Sequence, residues 1–191
     1  MLVFLDFEAS SLSERSYPIE VGWVFEDGRE EDHLIRPAPE WTDWDPSAEA
    51  IHGISRNELL ERGRDHTAVA QRMVEVLAGH DLCASAPSWD GKWLSALLRA
   101  SGIPRRTLRL RGSDEVLEEA TRSILAEVLP DDELDRAATD LLTRNEIAQP
   151  HPAHRALADA QQERQRWIAL RKAAEELARP LRRANTSAAP G

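Results

Sequence analysis

The sequence predicts an α/β protein in which a mixed sheet is flanked by helices. Three strand-like runs come first, and an Asp27-Gly28 turn signal between the second and third is typical of a hairpin. The rest of the chain alternates between helical spacing of apolar residues and short apolar runs. Strands joined as hairpins, followed by strands separated by helices, indicate a mixed sheet with helices packed beside it.

The strands are predicted from short apolar runs. The first, residues 2–7, is almost wholly apolar and is therefore expected to be buried. In the second, residues 19–25, the side chains of Val21, Trp23 and Phe25 alternate onto one face. Further strands are predicted at residues 30–35, 81–85 and 108–110.

The helices are predicted from apolar residues at helical spacing and from helix-start signals. Ser55 is the predicted N-cap of a short helix, because Glu58 stands at the capping-box position. The longest predicted helix, residues 153–177, follows Pro150 and Pro152, which favour a helix start at this point. Other helices are predicted at residues 67–78, 89–100, 113–128 and 133–144.

Length and composition fit one globular domain that needs no disulfide. The chain has 191 residues, of which 41% are hydrophobic and 30% charged. The single cysteine, Cys83, lies in an apolar run, so we expect it to be packed in the core of a cytoplasmic protein. The apolar N-terminal run is interrupted by Asp6 and has no basic residues before it, so neither a signal peptide nor a membrane span is predicted.

The formal charge of −10 limits the ways in which the chain could bind nucleic acid. Affinity for long nucleic acid comes from neutralising phosphates with Lys and Arg, so this charge argues against a protein that coats long polymers. It is compatible with an enzyme that grips only a chain end. Carboxylates that hold cations contribute negative charge, and the bound metal offsets part of it.

Two carboxylates stand near the end of the first predicted strand. Asp6 and Glu8 are two residues apart, so their side chains are expected on the same face. Adjacent carboxylates repel each other and are costly to bury without a partner. A divalent cation such as Mg²⁺ or Mn²⁺ satisfies both, because these ions prefer oxygen ligands. Solvated acids at an exposed strand end are the other interpretation of the pair.

Three more residues are candidates for the same site. Asp90 follows the fourth predicted strand, at a position where Asp ordinarily caps a helix. Asp159 stands on the longest predicted helix, and His154 is expected in its first turn. The positive end of a helix favours neutral imidazole, the form that accepts a proton. A helix cap at Asp90 and a capping or surface histidine at position 154 are the alternatives.

These candidates form motifs that resemble a known family, the DEDDh 3'→5' exonucleases. That group includes oligoribonuclease, ribonuclease T and the proofreading subunits of bacterial replicative polymerases. The three similar motifs are Asp6-Phe7-Glu8, Trp89-Asp90 and His154-Arg155-Ala156-Leu157-Ala158-Asp159. Two further segments resemble parts of the family, Ile19-Glu20-Val21-Gly22 and Ile51-His52-Gly53-Ile54-Ser55. The resemblance extends from about residue 2 to about residue 170, and the last of the three motifs is the most specific.

The resemblance implies a ribonuclease H-like fold and an exonuclease domain over residues 1–178. A tail over residues 179–191, rich in Pro, Ala, Ser and Arg, is expected to be disordered. The resemblance also implies that two Mg²⁺ or Mn²⁺ ions are held by Asp6, Glu8, Asp90 and Asp159, with His154 as the general base. The implied reaction releases nucleoside 5'-monophosphates from the 3' end of single-stranded DNA or RNA.

Residues beside these motifs are candidates for substrate contact. They are Ser10, which stands where the family often has threonine, together with Leu12, His52 and Trp89. Trp41 and Trp44 are further candidates for base stacking. Each tryptophan also fits core or rim packing, and His52 also fits a brace for its loop. A basic cluster within residues 99–111 fits either a grip on the nucleic-acid backbone or a solvated face.

Two other classes of function stay open. One is a catalytically idle exonuclease-like module that binds nucleic acid or a polymerase, and the other is an unrelated acidic protein. The presence of all five catalytic positions argues against the first, since a binding module has no need for the histidine. The order and spacing of the motifs argue against the second. The sequence does not distinguish DNA from RNA as the substrate, and it does not indicate the oligomeric state.

Overall fold

The computed structural model describes residues 1–147 and 151–187 and divides the chain into two compact units. Unit 1 contains Met1–Gly112 and Pro152–Glu163. Unit 2 contains the described parts of Ser113–His151 and Arg164–Gly191. Among the described residues, none of the helices combines the length and hydropathy that a bilayer crossing requires.

Unit 1 is built on one six-stranded sheet. Its strands are β1 (Leu2–Ala9), β2 (Pro18–Phe25), β3 (Glu30–Arg36), β4 (Arg64–Asp65), β5 (Asp81–Ala84) and β6 (Leu110–Gly112). They lie in the order β4-β3-β2-β1-β5-β6. The β1–β2 and β2–β3 pairs are antiparallel, whereas β3–β4, β1–β5 and β5–β6 are parallel. The predicted mixed sheet is therefore confirmed.

Among the described residues, four helices belong wholly to unit 1 and two wholly to unit 2. The helices of unit 1 are α1 (Pro46–His52), α2 (Arg56–Arg62), α3 (His66–Leu77) and α4 (Pro87–Ala100). Those of unit 2 are α5 (Ser113–Leu125) and α6 (Asp131–Ile147). The long helix α7 (Ala156–Ser187) begins in unit 1 and continues into unit 2. As predicted, the Ser55 hydroxyl caps α2 by accepting a hydrogen bond from the backbone N–H of Glu58.

One core cluster of unit 1 lies on one face of the sheet. The side chains of Val3, Leu5 and Phe7 on β1 pack in one cluster with apolar residues of β2, α3 and α4. Because side chains alternate along a strand, Asp6 and Glu8 point to the opposite face. The first turn of α7 covers that face, as the surroundings of Gly22 show.

Gly22 marks the place where α7 meets the sheet. It pairs with Asp6 across β1 and β2. A Cβ atom built on Gly22 would lie 2.3 Å from the backbone nitrogen of Leu157. Backbone cannot be displaced by a rotamer change, so only glycine lets the helix start approach β2 this closely.

Substituting Gly22 with alanine is therefore expected to destabilise the protein by about 1–3 kcal/mol through overpacking. Urea denaturation monitored by tryptophan fluorescence measures the change. Gly91→Ala is the matched control, because a Cβ there meets nothing within 4 Å. Alanine at this helical position of α4 is expected to add up to about 1 kcal/mol of stability. Equal effects from the two substitutions would contradict the close approach.

Unit 2 has a core of its own. Side chains from α5, α6 and the second half of α7 share one cluster, in which Leu125, Leu134 and Ala174 are buried. Helix α7 continues past residue 179, where the sequence predicts the tail to begin, as far as Ser187. Residues 188–191 lie outside the described residues.

Candidate metal centre

Three carboxylates from opposite ends of the sequence of unit 1 meet on the covered face of the sheet. Asp6 and Glu8 come from β1, and Asp159 comes from the first turn of α7. One oxygen of each lies within 4.8 Å of the other two. All three residues are half-buried. Three hard oxygen donors at this separation are a donor set that fits Mg²⁺ or Mn²⁺.

The electrostatics of this cluster favour a cation. Burial raises the pKa of Asp6 well above its ordinary value, and neighbouring acids raise it further, chiefly Asp90, Glu8 and Asp159. Burial, followed by repulsion from Asp159 and Glu20, raises the pKa of Glu8 to about 8. Protons and divalent cations relieve the same repulsion, so either can neutralise the cluster.

Asp90 on α4 is close enough to Asp6 to raise its pKa, but it is not one of the three carboxylates whose oxygens lie within 4.8 Å of one another. It is only 1% exposed and stands in the first turn of the helix, while Ala86 occupies the N-cap position. Helix capping is thus the wrong interpretation of Asp90, because Pro87 starts the helix earlier than predicted and turns this side chain inward. Burial raises its pKa to about 7, although hydrogen bonds from the backbone at Ala86 and Phe7 oppose the shift. Its Oδ2 atom has no hydrogen-bond partner among the described residues.

The raised pKa values predict how the stability of the metal-free protein depends on pH. The folded pKa values of Glu8 (about 8) and Asp90 (about 7) exceed the ordinary values of 4.5 and 3.8. Between these limits the folded state keeps protons that the unfolded state has released. Stability therefore falls as pH rises. We expect the Tm in EDTA to decrease from about pH 5 to about pH 8 as both carboxyls ionise.

Manganese is expected to reverse this loss, most strongly at the alkaline end, where the carboxylates are charged. Differential scanning fluorimetry with EDTA or MnCl₂ at several pH values measures both effects. A manganese-induced rise in Tm of the same size at about pH 5 and about pH 8 would contradict the assignment.

His154 lies just before α7 rather than in its first turn. The backbone N–H of Asp159 donates to the carbonyl oxygen of Arg155, so Arg155 is the N-cap and His154 precedes it. The predicted start of the helix at residue 153 is wrong. The reason is that the Asp159 carboxylate accepts hydrogen bonds from the backbone N–H groups of Ala153 and Arg155, at 2.7 and 3.3 Å, which hold a turn outside the helix. His154 is exposed and has a φ of 54°, in the left-handed region that histidine tolerates better than most residues.

An ion pair between the exposed Arg155 and the buried Glu20 anchors this turn to the sheet. The Arg155 guanidinium donates to both carboxylate oxygens of Glu20, and the Ala156 N–H donates to Glu20 Oε2 at 3.0 Å. Glu20 is 2% exposed and pairs with Glu8 across β1 and β2. Sequence reasoning gave Glu20 and Arg155 no role. An acid in an otherwise apolar strand was the signal, because a buried carboxylate requires a partner.

The structure separates the candidates for substrate contact into exposed and buried residues. Leu12 is 70% exposed, and Trp89 is 37% exposed while stacking on Trp93 with ring centroids 5.6 Å apart. Ser10 is fully buried, and its hydroxyl accepts a hydrogen bond from the N–H of Tyr17. His52 is 6% exposed, and its Nδ1 accepts from the N–H of Ile54. Ser10 and His52 therefore brace their loops.

Trp41 and Trp44 are partly buried and already have partners. Trp41 stacks on Tyr17 with ring centroids 5.1 Å apart. The indole N–H of Trp44 donates to the Glu49 carboxylate at 2.7 Å. Both rings thus contribute to the packing of the loop before α1, which fits the rim-packing interpretation.

The basic cluster lies away from the carboxylates. Leu110 of β6 is level with Leu82 of β5, which is level with Val3 of β1. Arg109 precedes this row, whereas Glu8 lies five residues beyond it, roughly 17 Å further along a strand direction at about 3.3 Å per residue. The exposed arginines before β6 are therefore at the opposite end of the sheet from the candidate metal centre.

Comparisons with known proteins give a fold match only. No protein-family model matches this chain, and no curated protein sequence matches it. Escherichia coli exonuclease I in complex with a dT13 oligonucleotide matches 97% of the chain with a TM-score of 0.61 and 15% identity. Exonuclease I from Methylocaldum szegediense matches 90% with a TM-score of 0.60 and 20% identity. The zinc-bound form of an E. coli exonuclease I–ssDNA complex matches 88% with a TM-score of 0.60 and 15% identity.

The chain spans about two fifths of these exonuclease I chains, which are covered over 42%, 40% and 39% of their lengths. The match includes the mixed sheet and its flanking helices, so the predicted ribonuclease H-like fold is confirmed. Over most of its length, the chain has the fold of the exonuclease domain of exonuclease I, at low sequence identity.

Proposed function

We propose that this chain is a metal-dependent 3'→5' exonuclease that releases nucleoside 5'-monophosphates from single-stranded nucleic-acid ends. The observation that carries the proposal is the meeting of Asp6, Glu8 and Asp159 within 4.8 Å on one face of the sheet. The fold match to exonuclease I supports the same reaction class. That match covers 42% of the exonuclease I chain, so the activity proposed is that of this part alone.

Asp6, Glu8 and Asp159 would hold two Mg²⁺ or Mn²⁺ ions, with Asp90 completing the site. When bound, these ions stabilise the negative charge that develops on the attacking and leaving oxygens of a phosphodiester. The donor set fits, because the carboxylates are crowded and their pKa values are raised. The zinc-bound form of a structurally similar exonuclease I complex is further support.

His154 is the proposed general base. It is exposed and adjoins Arg155, whose backbone N–H donates to Asp159. The imidazole would take a proton from the attacking water while the phosphodiester bond to the terminal nucleotide breaks. A positioned base of this kind contributes about 10²–10⁴-fold to the rate.

Leu12 and Trp89 would contact the terminal bases. Both are exposed apolar side chains, and Trp89 belongs to α4, the helix whose first turn also holds Asp90. The Lys92 ammonium lies 4.8 Å from the centroid of the Trp89 ring and adds positive charge beside it. A base stacked on such a ring contributes about 1–3 kcal/mol without selecting a sequence.

Single-stranded oligomers labelled at the 5' end test the proposal. With MgCl₂ or MnCl₂ we expect a ladder that shortens from the 3' end, and we expect none with EDTA. Matched DNA and RNA oligomers identify the preferred sugar. A phosphorothioate at the last linkage controls for direction, because it should delay only an enzyme that starts at the 3' end.

Two negative results separate the other classes of function. Metal-dependent binding of the oligomers without any ladder indicates a catalytically idle module. The absence of both a ladder and a manganese-induced rise in Tm indicates an acidic protein unrelated to nucleases.

A further inference from the structure

The carboxylate of Glu20 accepts hydrogen bonds from the two residues that follow His154. Arg155 donates to its two oxygens through Nε, at 3.1 and 3.2 Å, and through Nη2, at 2.5 Å. The Ala156 N–H supplies a further donor at 3.0 Å. These donors offset the cost of burying the charge. Both oxygens of Glu20 therefore already have hydrogen-bond partners, although Glu20 pairs with Glu8 in the sheet.

The same turn is held from its other side by Asp159. The N–H groups of Ala153 and Arg155 donate to its two carboxylate oxygens. His154 therefore lies between residues that are tied to the helix through Asp159 and to the sheet through Glu20. Its left-handed φ of 54° is an uncommon conformation for a residue with a side chain, and such conformations persist where surrounding contacts fix them.

We propose that the Glu20–Arg155 ion pair is a positioning device that holds the backbone of His154 in the orientation that proton transfer requires. The inference rests on the proposed exonuclease function and names two positioning residues for it. The planar guanidinium is suited to the task, because its fork engages both oxygens of one carboxylate and fixes direction as well as distance. Hydrophobic packing alone does not fix this turn, since Ala153, His154 and Arg155 are all exposed.

Steady-state kinetics of two Arg155 variants give the first measurement. Arg155→Met is expected to lower kcat about 10²-fold, the effect of a misplacement of roughly 1 Å. KM and the manganese-induced rise in Tm should stay near those of the wild type. Arg155→Lys keeps the charge but loses the fork, so it should recover only part of the rate. If Lys restored the full rate, charge alone would suffice and positioning by the ion pair would be overturned.

Arg72→Met is the matched control. Arg72 donates through Nε and Nη2 to Glu31 on β3 of the same sheet, so this variant also removes a forked arginine–carboxylate pair. It is expected to leave kcat unchanged. A loss equal to that of Arg155→Met would show that disturbing any such pair slows the enzyme, and would overturn the inference.

A double-mutant cycle with His154 decides between positioning and general structural support. If Arg155 acts through His154, then Arg155→Met should cause no further loss of kcat in a His154→Ala background. A further loss of about 10²-fold in that background would overturn the inference while leaving the proposed function intact. An inactive wild type would instead overturn the proposed function, and the catalytic role of the pair with it.

Hydrogen exchange provides a readout that is independent of activity. The Ala156 N–H is bound to Glu20 and should exchange slowly in the wild type and faster in Arg155→Met. Equal exchange rates at Ala156 in the two proteins would overturn the anchoring itself.

Discussion

Asp6→Asn is expected to abolish turnover and, at the same time, to raise the Tm of the metal-free protein. Asparagine keeps the size of the side chain but removes a charge that burial and neighbouring acids disfavour. Losing a metal ligand should cost several kcal/mol of transition-state stabilisation, which is about 10³-fold or more in kcat. The same substitution relieves repulsion on Glu8, so the metal-free fold should gain stability.

Steady-state kinetics and differential scanning fluorimetry with EDTA measure the two effects. The manganese-induced rise in Tm should also shrink, because one ligand is missing. Asp140→Asn is the control, since Asp140 is exposed on α6 and the substitution removes the same charge from unit 2. If Asp6→Asn lowered the Tm in EDTA, the carboxylate would be stabilising the apo fold, and the account of a repulsive cluster would be wrong.

His154→Ala is expected to lower kcat by about 10²–10⁴-fold while the manganese-induced rise in Tm is preserved. The imidazole is the proposed proton acceptor and is not among the carboxylates that would hold the metal. KM should change little, because the side chain acts on the attacking water rather than on the bound oligomer. Measurements on a short single-stranded oligomer give kcat and KM separately.

His151→Ala is the matched control, since His151 is exposed and lies three residues earlier in the same connecting segment. Its kcat should equal that of the wild type. A His154→Ala enzyme that retained kcat within a few-fold would show that another group accepts the proton. That result would not contradict the assignment of the carboxylates as metal ligands.

The parts of the site that follow from a strand's own geometry could be predicted from the sequence. Asp6 and Glu8 share a face because strand side chains alternate, and no tertiary information is needed for that statement. The mixed sheet was predictable for a similar reason. The hairpin signal and the later alternation of helices and strands are both local patterns in the sequence. The Ser55 cap likewise depends only on residues three positions apart.

The parts that depend on contacts between distant elements could not be predicted in this way. His154 lies outside α7 because Asp159 accepts the backbone N–H groups of Ala153 and Arg155. Without that contact, local rules place the helix start earlier. The partnership of Glu20 with Arg155 depends on the strand over which α7 begins. That strand is β2, as the close approach of Leu157 to Gly22 and the hydrogen bond from Ala156 to Glu20 show.

The wide separation of the acidic residues along the chain has a consequence for protein synthesis. A ribosome that has released only the first 112 residues has delivered Asp6, Glu8 and Asp90, but neither His154 nor Asp159. The missing pair arrives with Pro152–Glu163, the segment that completes unit 1. The candidate metal centre would therefore stay incomplete until that late segment has emerged and docked on β2.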